Sequence, residues 1–271
     1  MKRANSMFRL CCVLALAAMP ILAYAQSEEM TGAPAVDLST QSYNNGYYQG
    51  LMDRDDGKTL TFNCSGGTED NLREYKLGYL LGYTRRDYYL DQKIRDVVYT
   101  TDSMINGFVS GYREQYLQQS FNFSCSGGTE ESQREYKFGY FMGFCESRYY
   151  EGRRMYTELA QYDGSLRNGV LAGLKSQLCH ESFDFSCSGG SDENVREFKF
   201  GYIAGFSNTN WQYWVGRFTE LKNYYSNSWR NGYLGGYCAA RLNQAFDDSC
   251  SGGNAQSQYE FRQGYRQGFS D

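Results

Sequence analysis

Proline is almost missing from this chain, which has only two among its 271 residues. Pro20 and Pro34 both precede residue 43, so the long remainder contains none. Proline breaks the interior of helices, whereas an all-β array of this length would normally use it in its many turns. The absence of proline therefore predicts an all-α protein.

Histidine is also scarce, because His180 is the only one in the chain. A zinc site takes four closely placed nitrogen or sulfur ligands, and the sequence has no Cys-x-x-Cys pair. It also has no Gly-x-Ser-x-Gly motif and no nucleotide-binding glycine pattern. We therefore expect no metal site, no cofactor and no catalytic residues, and do not predict an enzyme.

The charge balance and hydropathy exclude two further classes. The formal net charge is -4, with a pI of about 5.3, whereas nucleic acids and anionic lipid surfaces select basic faces. Mean hydropathy is -0.65, and no long apolar run follows the N-terminal segment. We expect no nucleic-acid partner and no transmembrane helix once that segment has been removed.

The N-terminal segment has the pattern of an export signal. Three basic residues stand in the first nine positions, an apolar run from Leu10 to Leu22 follows, and Ala-Tyr-Ala ends at Ala25. A run of about 13 apolar residues is too short to span a bilayer. Residues 1–25 are therefore predicted to be a signal peptide that directs the protein to the periplasm or outside the cell. Residues 26–42 are predicted to be a flexible leader.

Four copies of one pattern fill the rest of the chain. In each copy, a Gly-x-x-x-Gly begins 18 residues before a Cys-Ser-Gly-Gly, and a second one begins 14 residues after that cysteine. Such fixed self-similarity predicts a repeat array of units of about 62 residues. The predicted repeats are 43–104, 105–166, 167–229 and a truncated 230–271, together forming one domain.

Each unit is predicted to be a pair of helices in contact. A residue that caps helix N-termini follows every Cys-Ser-Gly-Gly, and aromatic side chains then recur every fourth residue. Glycine inside a helix costs about 1 kcal/mol, so its recurrence indicates close approach of another backbone. The sequence predicts four αα-hairpins, arranged as a solenoid or a compact bundle. The glycines given this structural role are Gly46, Gly50, Gly78, Gly82, Gly107, Gly111, Gly139, Gly143, Gly169, Gly173, Gly201, Gly205, Gly232, Gly236, Gly264 and Gly268.

Seven cysteines remain after the signal peptide, and an exported protein can keep disulfides. Equivalent cysteines of stacked units should be too far apart to bond, so we expect pairs within a unit. Cys64 is then left unpaired. The predicted disulfides are Cys179–Cys187, Cys238–Cys250 and, with less support from spacing, Cys125–Cys145.

Function is less constrained than fold. The chain has 26 tyrosines, which offer contact area at low entropic cost, and exposed tyrosines on one face would favour binding. We expect a non-catalytic binding or scaffold protein, of a bacterial envelope or secreted, with a protein or glycan partner. The alternatives are a hydrolase acting on cell-wall or other glycans, and a secreted effector or inhibitor that docks one protein. Repeat symmetry breaks at Trp211, Trp214 and Trp229, which are the candidate ligand-binding residues.

Overall fold

A computed structural model describes residues 34–271, and within them every regular element is a helix. The prediction of an all-α protein is confirmed. The predicted signal peptide, and the leader up to residue 33, lie outside the described residues. The α-helices are α1 (Gln41–Asp55), α2 (Glu69–Tyr83), α3 (Tyr88–Val97), α4 (Asp102–Tyr116), α5 (Glu130–Phe144), α6 (Tyr149–Leu159), α7 (Gly164–Leu178), α8 (Asp192–Phe206), α9 (Trp211–Tyr224), α10 (Asn227–Arg241) and α11 (Ala255–Ser270).

The second helix of each pair begins at the capping residue that the sequence indicates. In α2 the side chain of Thr68 accepts a hydrogen bond from the backbone N–H of Asn71 at 3.2 Å. Thr129, Ser191 and Asn254 do the same for α5, α8 and α11. None of these helices of residues 34–271 is long and apolar enough to cross a bilayer.

Neighbouring helices are paired, but the two helices of a pair run in the same direction. Gly46 of α1 lies against the backbone carbonyl of Tyr75 in α2, and Gly50, one turn later, lies against that of Tyr79. Residue numbers therefore rise together along both helices. The same offset of 29 residues recurs in α4–α5, α7–α8 and α10–α11. The predicted αα-hairpin, whose helices would be antiparallel, is wrong in direction.

The segment between paired helices is long enough to run from the end of the first helix back to the level at which that helix begins, as a parallel pair requires. A helix of 15 residues is about 22 Å long, and the 13 residues between α4 and α5 can extend about 40 Å. Phe121 and Phe123 of this segment pack edge-on against Tyr140 of α5, with ring centroids 5.3 and 6.1 Å apart. The backbone N–H of Asn122 donates to the Tyr140 hydroxyl at 3.1 Å. The segment thus returns along α5 and covers its aromatic side.

Glycine is required where the paired backbones touch. A β carbon added at Gly139 of α5 would lie 2.0 Å from the carbonyl oxygen of Met104 in α4. All sixteen glycines of the repeated pairs show this geometry, with distances of 2.0 to 2.3 Å to a carbonyl oxygen of the partner helix. No side chain fits between the two backbones, so each pair has one permitted register.

A third helix, which the repeat pattern did not predict, separates successive pairs. In α3, Leu90, Ile94 and Val97 recur at helical spacing and are fully buried. The corresponding helices α6 and α9 pack against α5 and α8. The three are also joined to each other. The Lys93 ammonium of α3 pairs with Glu146, which precedes α6, at 2.6 Å, and Tyr162, which follows α6, bonds Thr219 of α9 at 3.2 Å.

Buried arginines link each pair to the next. Arg230 of α10 donates two hydrogen bonds to the Glu193 carboxylate of α8, at 2.8 and 3.0 Å, and Arg196 donates to the same group. Burial alone would raise the pKa of Glu193, but the two arginines hold it below its ordinary value. Arg167, Arg134 and Glu131 repeat this cluster between α7 and α5.

The last helix departs from the apolar pattern of its equivalents. In α8, Phe200, Ile203 and Ala204 are buried beneath the elements that follow. The corresponding positions of α11 hold Gln263, Arg266 and Gln267, none of which is buried. The outer side of α11 is therefore polar.

The residues just before α1 pack against the helices. Val36 is only 2% exposed, and the N–H of Ala35 donates to the carbonyl of Val98 at 2.6 Å. This differs from the flexible leader predicted over 26–42, because Val36 and Leu38 supply apolar side chains that the core accepts.

Substituting alanine for glycine should separate the contact glycines from ordinary helical ones. Gly139→Ala is expected to destabilise the fold by about 3 kcal/mol or more, because its β carbon would overlap the Met104 carbonyl. Gly216→Ala in α9, where nothing lies within 4 Å, is the matched control and should stabilise by up to about 1 kcal/mol. Urea unfolding of both variants measures the difference, and equal stabilities would contradict the close contact.

The arginine–glutamate clusters should make stability depend on acid pH. The lowered pKa of Glu193 means that its stabilising effect is present above the unfolded value of about 4.3 and is lost as pH falls through the folded value. At pH 7, Glu193→Gln should lower stability by about 1–2 kcal/mol, since the buried Arg196 and Arg230 lose their shared partner. Thermal unfolding between pH 7 and pH 3 should show this difference shrinking. Glu130→Gln, at a highly exposed side chain, should have little effect at any pH.

Candidate functional site

The three tryptophans do not form one surface. Trp211 and Trp214 lie on the buried side of α9 and are 1% and 7% exposed. Trp229 belongs to α10, where its ring stacks on Tyr225 and Tyr233 with centroids 4.1 and 5.5 Å apart. Trp211 and Trp214, two of the three candidate binding residues, are therefore side chains of the core.

Trp214 nevertheless reaches a cavity of about 450 Å³ where α9, α10 and α11 meet. Tyr237 lies beside it, with the rings edge-on at 4.9 Å, and the Arg241 Nε donates to the Tyr237 hydroxyl at 3.1 Å. The carboxylate of Asp271, also in the lining, accepts from the hydroxyl of Tyr233 at 2.8 Å. Burial raises the pKa of Tyr237. The cavity is thus lined by neutral aromatic groups and by polar groups that already bond protein atoms.

A second cavity of about 460 Å³ lies between α5 and α7. Its apolar residues include Phe123 and Leu171, and Lys137 and Lys175 stand among its polar ones. Arg134 also lines it but is occupied by Glu131, to which it donates at 2.9 and 3.1 Å. This cavity marks the junction of two helix pairs, where an ion-pair cluster leaves a groove.

Each of the intervening helices α3, α6 and α9 exposes aromatic side chains in its first turn. Tyr88 and Tyr89 begin α3, Tyr150 is the second residue of α6, and Tyr213 is the third residue of α9. Their exposed fractions are 67%, 70%, 60% and 60%. We name these four residues the tyrosine surface. The large number of tyrosines in the sequence suggested a binding surface. The exposed fraction of the side chain distinguishes these four residues from core tyrosines such as Tyr79 and Tyr140.

The helices that carry Tyr88 and Tyr150 are linked to each other. Arg153 of α6 pairs with Asp96 of α3 at 3.3 Å, and the pKa of Tyr150 is raised by partial burial and then by the Asp96 carboxylate. The α6 helix is held against α3 by the hydroxyl of Tyr149, which donates to the Lys93 carbonyl at 3.2 Å. Neighbouring rings are therefore fixed to a rigid base of packed helices, which suits them for contact with a partner.

The recurring glutamates of the second helices have structural partners. Glu74 accepts from the hydroxyl of Thr40, the N-cap of α1, at 2.8 Å, and Glu260 accepts from Ser226, the N-cap of α10. Glu197 pairs with Lys222 at 2.6 Å. Among residues 34–271, no group of three histidine, cysteine or acidic side chains is placed to hold a metal ion.

The seven cysteines of the described residues are free thiols, so the three predicted disulfides are not formed. The Cys125 sulfur is 3.9 Å from the Gln133 carbonyl in the first turn of α5, whereas Cys145 follows the last turn. Twelve residues of helix separate these two levels by about 18 Å, far beyond the ~7 Å limit.

The other two predicted pairs fail for the same reason. Cys179 and Cys238 lie at the C-terminal ends of α7 and α10, while Cys187 and Cys250 precede the N-termini of α8 and α11. Paired helices are parallel, so these positions are at opposite ends of a pair. The Cys179 thiol instead donates to the carbonyl of Phe121 at 3.3 Å.

The rates at which the cysteines are alkylated should reflect their burial and their lack of disulfide bonds. Burial raises the pKa of Cys145 to about 11. At pH 8 the thiolate of Cys145 is therefore scarce, and iodoacetamide should alkylate it more than tenfold more slowly than a free cysteine. Peptide mapping by mass spectrometry after timed alkylation gives both the rates and any linked pairs. A Cys125–Cys145 link, or fast labelling of Cys145, would contradict the structure.

Comparison of the chain with protein families, with curated proteins and with solved structures gives no match in any of the three.

Proposed function

We propose that this chain is an exported, non-catalytic binding protein that holds an extended partner on its tyrosine surface. The observation that carries the proposal is the exposure of Tyr88, Tyr89, Tyr150 and Tyr213, between 60% and 70%, on three helices that side-chain bonds link in succession.

A repeat array of four units provides the scaffold in this proposal. The equal register of the four parallel pairs supports it, as does the arginine link from one pair to the next. The polar side of α11 supports it as well, because the last unit of an array faces water. In such an array α3, α6 and α9 form one row, linked by the side-chain bonds between them.

A polysaccharide fits this surface better than a compact ligand. The exposed rings repeat along the row, so the surface matches a partner whose own units repeat. Tyrosine combines an apolar ring face, which packs on the faces of sugar rings, with a hydroxyl that bonds their alcohol groups. A flexible segment of a protein partner is the other occupant that these rings could bind.

The glycan-acting hydrolase is not developed further. Acid–base cleavage of a glycosidic bond uses two carboxyl groups on either side of the bond. The cavity at Trp214 presents one, Asp271, which is already bonded by Tyr233 and Gln267.

The proposal predicts that the mature protein sediments with insoluble polysaccharides and that the tyrosine surface causes this. The probes are purified peptidoglycan, chitin and cellulose. The triple variant Tyr88→Ser, Tyr150→Ser, Tyr213→Ser should bind at least tenfold more weakly, since each aromatic contact contributes roughly 0.5–1.5 kcal/mol beyond its buried area. These side chains are exposed, so circular dichroism should show an unchanged fold.

The matched control is Tyr224→Ser with Tyr259→Ser, at positions 80% and 60% exposed but outside the tyrosine surface. It should bind like the unmodified protein. Equal binding by both variants would reject the tyrosine surface as the site. Absence of binding to all three probes would reject a polysaccharide partner and leave a protein segment to be tested.

A further inference from the structure

Within residues 34–271, the outer side of α1 is a second exposed feature. Tyr48 is 62% exposed and Met52 is 53% exposed. The positions equivalent to Tyr48 in α4, α7 and α10 are Val109, Leu171 and Leu234, which are at most 3% exposed. In those helices this side faces the preceding helix pair, as the lining of the cavity between α5 and α7 shows for Leu171. The α1 helix therefore exposes a face that is an interface in α4, α7 and α10.

Around Tyr48 this face carries no charge. Residues 38–52 include no acidic or basic side chain, and the exposed line along α1 runs through Gln41, Asn44, Tyr48 and Met52 to Asp55, which pairs with Arg85 at 2.7 Å. In α7 and α10 the position of Asn44 is held by Arg167 and Arg230, which bond acidic groups of the preceding pair. Where two antiparallel α1 helices meet at Tyr48, Asp55 of one copy lies near Gln41 of the other, so like charges do not face each other.

The opposite end of the chain does not complement this face. On α11, Gln263, Arg266 and Gln267 replace the apolar residues that receive the next unit elsewhere, and Arg266 pairs with Asp248 at 2.9 Å. A head-to-tail contact would bury this ion pair against Tyr48 and Met52 of the next copy, at an uncompensated cost in desolvation.

We propose that two copies of this chain associate through their α1 faces about a two-fold axis. Tyr48 and Met52 of one copy pack against the same residues of the other, and Gln41 and Asn44 supply hydrogen bonds at the rim. An isologous contact of this kind closes at the dimer and does not continue into a filament. One helix face buries less than the ~1,200 Å² of a standard interface, so the dimer is weak and depends on concentration.

Sedimentation velocity of the mature protein over a roughly hundredfold range of concentration tests this proposal. The unmodified protein should pass from monomer to dimer. Tyr48→Glu should stay monomeric, because it places two like charges against each other at the axis. Tyr259→Glu, at a residue 60% exposed on α11, is the matched control and should dimerise like the unmodified protein.

A mixture of Tyr48→Glu and Tyr48→Lys provides the positive test. Opposite charges then meet at the axis, so the mixture should form dimers although neither variant does so alone. Monomers at every concentration of the unmodified protein, or a dimer that survives Tyr48→Glu, would overturn the proposal. Species larger than a dimer that grow with concentration would also overturn it, since they require end-to-end contact.

Discussion

The fold depends on a contact between two helix backbones with no side chain between them. Each pair brings two glycines of one helix against two of the other, and an added β carbon at any of them would fall 2.0 to 2.3 Å from a carbonyl oxygen. The contact itself buries little apolar surface. The aromatic groups beside it supply that surface: Tyr75, Tyr79 and Tyr83 stack at 6.1 and 5.8 Å, and the return segment covers them. The glycines thus set the register of each pair, and the aromatic groups stabilise the pairing.

Parallel pairing has an electrostatic cost that the recurring acidic groups offset. Two parallel helices place their positive N-terminal ends side by side, and negative side chains there are stabilising. Glu69, Glu130 and Asp192 occupy first turns at this end, and Glu74 joins the second helix to the N-cap of the first. Between units, Glu131 and Glu193 hold two arginines each. The ion pairs that link one helix pair to the next therefore lie near the N-terminal ends of the paired helices.

Local features could be predicted from the sequence, whereas direction and exposure could not. The cap at Thr68 and the close contact at Gly46 are each indicated by a short local motif. The Gly-x-x-x-Gly spacing is, however, the same for parallel and antiparallel helices. The 13-residue link was the available sign, since helix hairpins use links of about 2–8 residues. The three disulfides were predicted from an antiparallel hairpin, so they are not formed between parallel helices. The α3 helix was not predicted because it contains no glycine pair and lies outside the repeated motif, although Leu90, Ile94 and Val97 have helical spacing. The candidate site also differs from the one that the sequence predicted. Trp211 was a candidate because tryptophan is rare in the sequence, whereas the exposed fraction of the side chains favours Tyr150.

The two proposed surfaces would reinforce each other. A tyrosine surface on one chain gives few contacts, and a dimer through α1 would place two such surfaces on one particle. A long polysaccharide could then occupy both, and the second contact would form at the high effective concentration set by the first. Because coupling between binding events is reciprocal, a polymer that engages both surfaces must also strengthen the weak α1 contact. The α1 face is too small to hold a permanent dimer by itself. The dimer would therefore form mainly when the polysaccharide partner is bound.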